Sequence, residues 1–278
     1  MDRITVTDVR KTFQLKNGQN VVIDGRPSDR LTVLNGVDLS IRKGEFITLV
    51  GPSGSGKSVL LDIIGGLTQA SDGVVSLDGN IIAKPDPKTG YVFQQYALFP
   101  WRTALSNIEY ALEVRGVGKR ERNQRARHFL ALFGLSGFED RYPNQLSGGM
   151  QQRVAIARAL ATEPEVLLMD EPFAALDAQT RDILQGELLK IWEKIKTTVV
   201  FVTHSIDEAI FLADRIVIMT ARPGRVKEII DIDLPRPRDA DIRASSEFNI
   251  HRAQVWEALR DEVSKAQRDG AFSSPLAH

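Results

Sequence analysis

The chain contains no cysteine. Disulfides, cysteine-ligated zinc and thiol nucleophiles are therefore excluded outright. Net charge is missing too: 36 Lys and Arg balance 36 Asp and Glu across 278 residues. No basic tail of the kind that binds nucleic acid follows from that balance, and no nucleic-acid partner is expected. No apolar run approaches the ~18–20 residues that cross a bilayer. The start, Met1-Asp2-Arg3-Ile4-Thr5, lacks the apolar core of a signal peptide. The expectation is a soluble protein that reaches a membrane only through a partner. Internal repeats are absent. What remains is an ordinary globular balance, 42% hydrophobic and 26% charged, in a length that suits one large α/β domain or two small ones.

One stretch organises the rest. Gly51-Pro52-Ser53-Gly54-Ser55-Gly56-Lys57-Ser58 fits the pattern G-x-x-x-x-G-K-[ST] of a phosphate-binding loop. The apolar run Phe46 to Val50 before it reads as a buried strand, and Val59 to Ile64 after it as a helix start. Glycines let the backbone wrap closely around phosphates, and the helix N-terminus adds partial positive charge there. Lys57 can reach the β- and γ-phosphates, and the Ser58 hydroxyl can ligate Mg²⁺. The alternative is a chance glycine-rich turn, which the flanking strand and helix argue against.

Ahead of the loop, Ile4 to Val9 and Val37 to Ile41 alternate like half-buried strands, with short strands at Val21–Ile23 and Leu31–Leu34. Asn17-Gly18 reads as a turn and Asp24 to Asp29 as a polar loop. Such short connections imply antiparallel pairing. Past the loop come short strands at Gly73–Leu77 and Tyr91–Phe93. Leu105 to Ala161 reads as helix, broken near Gly116–Gly118 and Gly134–Gly137. Val166–Met169 and Thr198–Val202 are continuous apolar runs, as expected of parallel strands buried on both faces. Gln179–Lys196 is an amphipathic helix with Leu184, Leu188, Ile191 and Ile195 on one face. Ile206–Ala213 reads as helix, and Ile216–Met219 and Val226–Ile232 as strands. A closing helix, Glu247–Gln267, is expected to bury Trp256, Leu259 and Val263.

A second loop narrows the class. Leu146-Ser147-Gly148-Gly149-Met150-Gln151 opens the helix Gln151–Ala161. Serine and two glycines before a helix make another anion-binding end. Either it caps a nucleotide held by another copy of the chain, or it is a plain helix cap. Asp170-Glu171 closes an apolar run; adjacent acids can also be a charge pair at a helix start, but the strand before them argues otherwise.

Together, the phosphate loop, Gln94, the loop Leu146–Gln151, Asp170-Glu171, Ala175-Leu176-Asp177 and His204 resemble, in order, the ATP-binding cassette of ABC transporters. The resemblance covers about residues 3–235. It implies an α/β fold: a phosphate-loop NTPase core with a mainly parallel sheet, an N-terminal antiparallel β subdomain, and a helical subdomain inserted at about 95–162. Residues 236–278 would form a C-terminal helical extension. It also implies the roles of single residues. Gly51, Pro52, Ser53, Gly54, Ser55, Gly56, Lys57, Ser58 and Val59 would hold ATP. Phe13 would stack on adenine, although an isolated Phe is more often a core residue. Ser58, Gln94 and Asp170 would hold Mg²⁺. Glu171 would be the general base on the attacking water, and His204 would contact the γ-phosphate. Ser147, Gly148, Gly149 and Asp177 would act across a homodimer interface. Two departures stand out: Val59 replaces a threonine common in relatives, and Ala174 replaces a glycine.

The segment Tyr96-Ala97-Leu98-Phe99-Pro100-Trp101-Arg102 matches the part of the family that lies against the membrane subunit; the alternative is helical core. Phe99-Pro100-Trp101, Glu171-Pro172-Phe173, Ala178-Gln179-Thr180-Arg181 and Ala221-Arg222-Pro223-Gly224 resemble the importer branch handling nitrate, sulfonate, taurine and bicarbonate. The implied partners are a second copy, integral membrane permease subunits and, indirectly, an extracytoplasmic solute-binding protein. The implied location is the cytoplasmic face of the membrane, held peripherally. Competing readings are a soluble ABC-type ATPase outside transport and a phosphate-loop kinase or GTPase. The first usually carries two cassettes or a long coiled coil; the second leaves the loop at Ser147 unexplained, and no Asn-Lys-x-Asp motif is present.

Overall fold

The computed structural model describes residues 2–15, 21–23 and 26–272, and the chain divides into two units. The first gathers residues 1–85, 202–234 and 243–278; the second gathers 86–201 and 235–242. The expected turn at Asn17-Gly18 lies outside the described residues.

In the first unit, an antiparallel sheet runs in the order β4-β1-β6-β7, from β1 (Asp2–Gln14), β4 (Arg30–Arg42), β6 (Asp72–Leu77) and β7 (Asn80–Ile81). Ile4, Val6 and Val9 of β1 face Val37, Leu39 and Ile41 of β4 in its buried layer, each fully apolar side chain contributing about 1.5–3 kcal/mol. The two strands expected at Leu31–Leu34 and Val37–Ile41 are one strand. Gly36 between them takes φ 74°, and the β1–β4 register shifts there, so a local bulge replaces the expected break. The expected polar loop is also partly strand: β3 (Arg26–Ser28) pairs antiparallel with β2 (Val21–Ile23).

The same unit holds β5 (Phe46–Val50), β11 (Arg215–Met219) and β12 (Val226–Asp231). β5 and β11 are parallel; β11 and β12 are antiparallel. All five residues of β5 are buried. α1 (Lys57–Ile64) follows it, and α6 (Ile206–Leu212) and α7 (Ser246–Phe272) pack together. α7 buries Phe248, Val255, Ala258 and Leu259. Trp256 is 53% exposed, against expectation. It lies about 80° round the helix from Phe248, off the face that Phe248, Val255 and Leu259 share.

The second unit contains β8 (Thr89–Val92) parallel to β9 (Val166–Asp170), with the first four residues of β10 (Thr198–Thr203) next in order; Val202 and Thr203 belong to the first unit. Helices α2 (Ala104–Val114), α3 (Lys119–Leu132) and α4 (Gly148–Leu160) pack on one another, and α5 (Ala178–Ile195) packs against α4. Side-chain oxygens cap α2 and α5: Thr103 accepts from Ser106 N at 3.2 Å and Asp177 from Thr180 N at 2.9 Å. Leu184, Leu188 and Ile191 are buried as expected, whereas Ile195, in the last turn of α5, is 40% exposed. Among the described residues no helix is long and apolar enough to cross a membrane.

Candidate functional site

In the first unit, the loop 51–56 leaves β5 and feeds α1. Gly51 lies so close to β11 that a Cβ there would sit 2.9 Å from the Met219 carbonyl oxygen. Gly54 and Gly56 take φ 79° and 86°, a region costly for other residues, so the loop can curl back on itself. Lys57 is 4% exposed. Its ammonium donates to the carbonyls of Gly51 at 2.9 Å and Pro52 at 3.0 Å and lies 3.4 Å from Ser55 Oγ. A buried cation held by the loop's own carbonyls, at the start of a helix, suits an incoming polyphosphate: the helix end and the ammonium both favour negative charge. Ser53 and Gly54 form the exposed tip, Ser55 and Gly56 are buried, and Ser58 and Val59 are half-buried.

Phe13 lies in β1, 40% exposed, so it is not a core residue. The Lys11 ammonium sits 5.0 Å from its ring centroid. His204 follows β10 and is exposed. Its corner is fixed by neighbours: Thr203 Oγ1 accepts from Ser205 N at 3.0 Å and donates to the buried Glu208 carboxylate, and Ser205 caps α6. This Thr203–Glu208 link gave no signal in the sequence, because a threonine in a buried strand reads as an ordinary β residue.

In the second unit, Asp170 ends β9 and Glu171 begins the turn after it. Glu171 has φ 44°, a left-handed backbone that costs a non-glycine residue about 1–2 kcal/mol. Strain of this kind clusters at sites where side-chain aim matters more than stability. The Gln94 amide lies 3.4 Å from Glu171 Oε2, so these two predicted residues are brought together. Ser147 caps α4 by accepting from Met150 N at 3.3 Å and is itself exposed. Gly148 and Gly149 are packed closely: a Cβ would lie 2.8 Å from the Tyr96 hydroxyl at the first and 2.7 Å from Thr180 Cγ2 at the second. Asp177 is exposed, and the Thr180 backbone and hydroxyl donors hold its carboxyl below the usual carboxylate range. Arg158, on α4, donates to Ala97 O at 2.8 Å and Tyr96 O at 3.3 Å. Sequence reasoning missed this residue, since an Arg eleven positions into a helix carries no motif.

Trp101 is 71% exposed, which removes the core alternative for that residue, while Tyr96 is half-buried. Asn107, fully buried on α2, accepts from Phe99 N at 2.9 Å and donates to Arg102 O at 2.9 Å, fixing the loop that displays Trp101.

Comparison with known proteins decides what this constellation is. The model of the family described as ABC transporter matches residues 34–174. An uncharacterized ABC transporter ATP-binding protein of Methanocaldococcus jannaschii is 57% identical over 238 residues, 86% of this chain and 88% of the relative. This chain belongs to the ABC transporter family. It is an ATP-binding cassette, an ATPase. The cassette is also 43% identical over 254 residues to an aliphatic sulfonates import ATP-binding protein of Bacillus cereus, covering 91% of this chain and 96% of that one. A solved dimeric ATP-binding cassette in a post-hydrolysis state, bound to ADP and Pi, superposes with a TM-score of 0.71 at 36% identity, over 84% of this chain and 100% of that chain. The fold of this cassette is accordingly α/β with parallel strands and an antiparallel N-terminal sheet, as the sequence led one to expect.

Proposed function

We propose that the cassette is the ATP-hydrolysing subunit of an importer for a small anion such as nitrate, a sulfonate or taurine. It works as a homodimer against membrane permease subunits at the cytoplasmic face. The observation that carries this reading is the exposed Ser147 at the head of α4, a second helix end suited to an anion in a chain that already has a phosphate loop. The sulfonate-import relatives support the branch. Residues 1–235 are taken as the ATP-binding domain, with a helical subdomain at about 95–162, and 236–278 as a helical extension.

In this reading Lys57 and the loop amides bind the β- and γ-phosphates, and Phe13 stacks on adenine. Ser58, Gln94 and Asp170 would hold Mg²⁺, which neutralises phosphate charge when bound; a hydroxyl, an amide and one carboxylate suit a cation that keeps water and phosphate oxygens as its other ligands. Glu171 takes a proton from the attacking water, the Glu171–Gln94 contact aims it, and ADP and phosphate leave. His204 contacts the γ-phosphate. Ser147, with Gly148 and Gly149, reaches the γ-phosphate held by the other copy, and Asp177 crosses the same interface. Trp101 faces the permease.

Co-purification tests the transport role. The tagged cassette is expected to bring down an integral membrane protein, and the two, in proteoliposomes with a solute-binding protein, to take up sulfonate or nitrate only with ATP. A cassette that purifies alone at full ATPase turnover, with no membrane partner captured, would return it to the soluble, non-transport reading.

A further inference from the structure

The C-terminal helix α7 is joined to the phosphate loop by a short run of contacts inside the first unit. Glu262, on α7, has a side chain only 13% exposed. Its Oε2 accepts from the Ala221 backbone N–H at 2.9 Å, and its Oε1 lies 3.2 Å from Lys227 Nζ. Lys227 also donates to Ala258 O on α7 at 2.8 Å. Ala221 opens the turn Ala221–Arg225 between β11 and β12. That turn is closed on itself by Thr220, whose hydroxyl donates to Pro223 O at 3.0 Å and accepts from Arg225 N at 2.9 Å.

The turn then runs under the phosphate loop. Gly224 N donates to Val33 O at 2.8 Å, and Asn35 N donates to Gly224 O at 3.0 Å. Gly224 packs so tightly that a Cβ there would lie 2.0 Å from Ser55 O, and a Cβ on Gly56 would lie 2.5 Å from Leu34 Cδ2. Ser55 and Gly56 therefore rest on a floor made of Gly224 and Leu34. Ser55 is fully buried, and its Oγ is 3.4 Å from the Lys57 ammonium. The position of the floor fixes the height of the loop, and Glu262 fixes Ala221, the first residue of the turn that carries Gly224.

We propose that Glu262 is a positioning residue for nucleotide binding: through Ala221 and Gly224 it holds Ser55 and Gly56 at the height at which the loop amides and Lys57 receive phosphate. The inference gives the extension after Pro237 a part in ATP affinity. It rests on reading residues 51–58 as the phosphate site.

The test measures ATP–Mg²⁺ affinity by calorimetry, with turnover and melting temperature, on the full chain. Glu262→Ala is expected to weaken ATP binding about fivefold to tenfold, the worth of one well-made hydrogen bond, and to raise KM alike, with kcat at saturation within twofold. Glu262→Gln still accepts from Ala221 N and is expected to restore affinity to within twofold of the parent. Arg252→Ala removes the Arg252–Asp207 pair, which ties α7 to α6 away from the turn. It is expected to lower the melting temperature and leave affinity alone. The proposal is overturned if Glu262→Ala binds ATP like the parent, if Glu262→Gln is as impaired as Glu262→Ala, or if Arg252→Ala weakens binding equally. Should Glu262→Ala fail to fold, Glu262→Leu, which keeps bulk but accepts no bond, takes its place under the same thresholds. Lys57→Ala is run alongside: normal ATP affinity there would sink the phosphate-site reading itself, whereas lost affinity there with normal affinity in Glu262→Ala would sink only the positioning role.

Discussion

The Tyr96 hydroxyl stands 2.8 Å from the point that a Cβ on Gly148 would occupy. Two residues after Gln94, the chain thus reaches the head of α4, where the Ser147 loop begins. Arg158 completes the tie by donating to Tyr96 O and Ala97 O, and Ala97 holds φ 48°. Gly148→Ala is expected to push the tyrosine tip aside rather than unfold the chain, because the obstacle is the end of a movable side chain. ATPase turnover falls, and Tyr96→Phe, which deletes the hydroxyl, restores part of it. The cycle should give a coupling of about 0.5–3 kcal/mol in the turnover barrier. Strict additivity of the two changes would disprove the steric link.

Lys57→Ala removes the buried ammonium from the Gly51 and Pro52 carbonyls. Each lost charge-assisted bond to phosphate costs about 1.5–3 kcal/mol, or roughly 10- to 150-fold in ATP affinity. The fold should survive with a lower melting temperature, since the two carbonyls can turn to water. Calorimetric titration with ATP is the check, and unchanged affinity would remove Lys57 from the site.

Asp177 supplies the clearest acid dependence. Its folded pKa is depressed by the donors of Thr180, so its stabilising contribution is present above the ordinary aspartate value and fades as pH falls through the lower folded value. Thermal melts from neutral pH into the acid range should therefore show a loss that Asp177→Asn, still a good cap, largely lacks. Identical pH profiles for the two proteins would contradict the assignment.

Much of this was legible because the informative residues sit at fixed offsets from strong strands. Phe46–Val50, Val166–Met169 and Thr198–Val202 are almost wholly apolar, and the residues proposed for the chemistry follow at the C-terminal end of each: Gly51, Asp170 and His204. The rest required three dimensions. Trp256 outranks Val255 in size but lies off the face set by Phe248, Val255 and Leu259. The two strands expected at Leu31–Leu34 and Val37–Ile41 are one, because a bulge absorbs the left-handed backbone of Gly36. Glu262 reads as one more charge on a solvated helix; only the Ala221 amide, some forty residues away, shows what it holds.

Trp101 is held out by a loop that Asn107 fixes, and its ring tilts against Phe99 at 5.6 Å between centroids. Trp101→Ala is expected to change stability by no more than about 0.5 kcal/mol and to leave the isolated subunit's ATPase near normal. Capture of the membrane partner, and transport, should weaken. An isolated subunit that unfolds would return the residue to the core.

The composite site makes the strongest demand on the proposed homodimer. Two nucleotides sandwiched between two copies imply a two-fold axis, with Ser147 of each copy on the γ-phosphate of the other. Glu171, strained at φ 44° and met by Gln94, is the proposed base that would end this closed state. A general base typically contributes 10²- to 10⁴-fold, about 3–5 kcal/mol of barrier. Glu171→Gln keeps the shape and removes the basicity, so it is expected to bind ATP, turn it over slowly and accumulate as a closed dimer. Adding Ser147→Arg places a bulky side chain where the partner's nucleotide would lie, and should abolish the dimer while ATP binding to the single chain persists through Lys57 and Phe13. Light scattering with and without ATP reads both outcomes. A Glu171→Gln protein still monomeric in saturating ATP, with the membrane partner present, would end the sandwich model; a double variant that still dimerises would end the role of Ser147 across the interface.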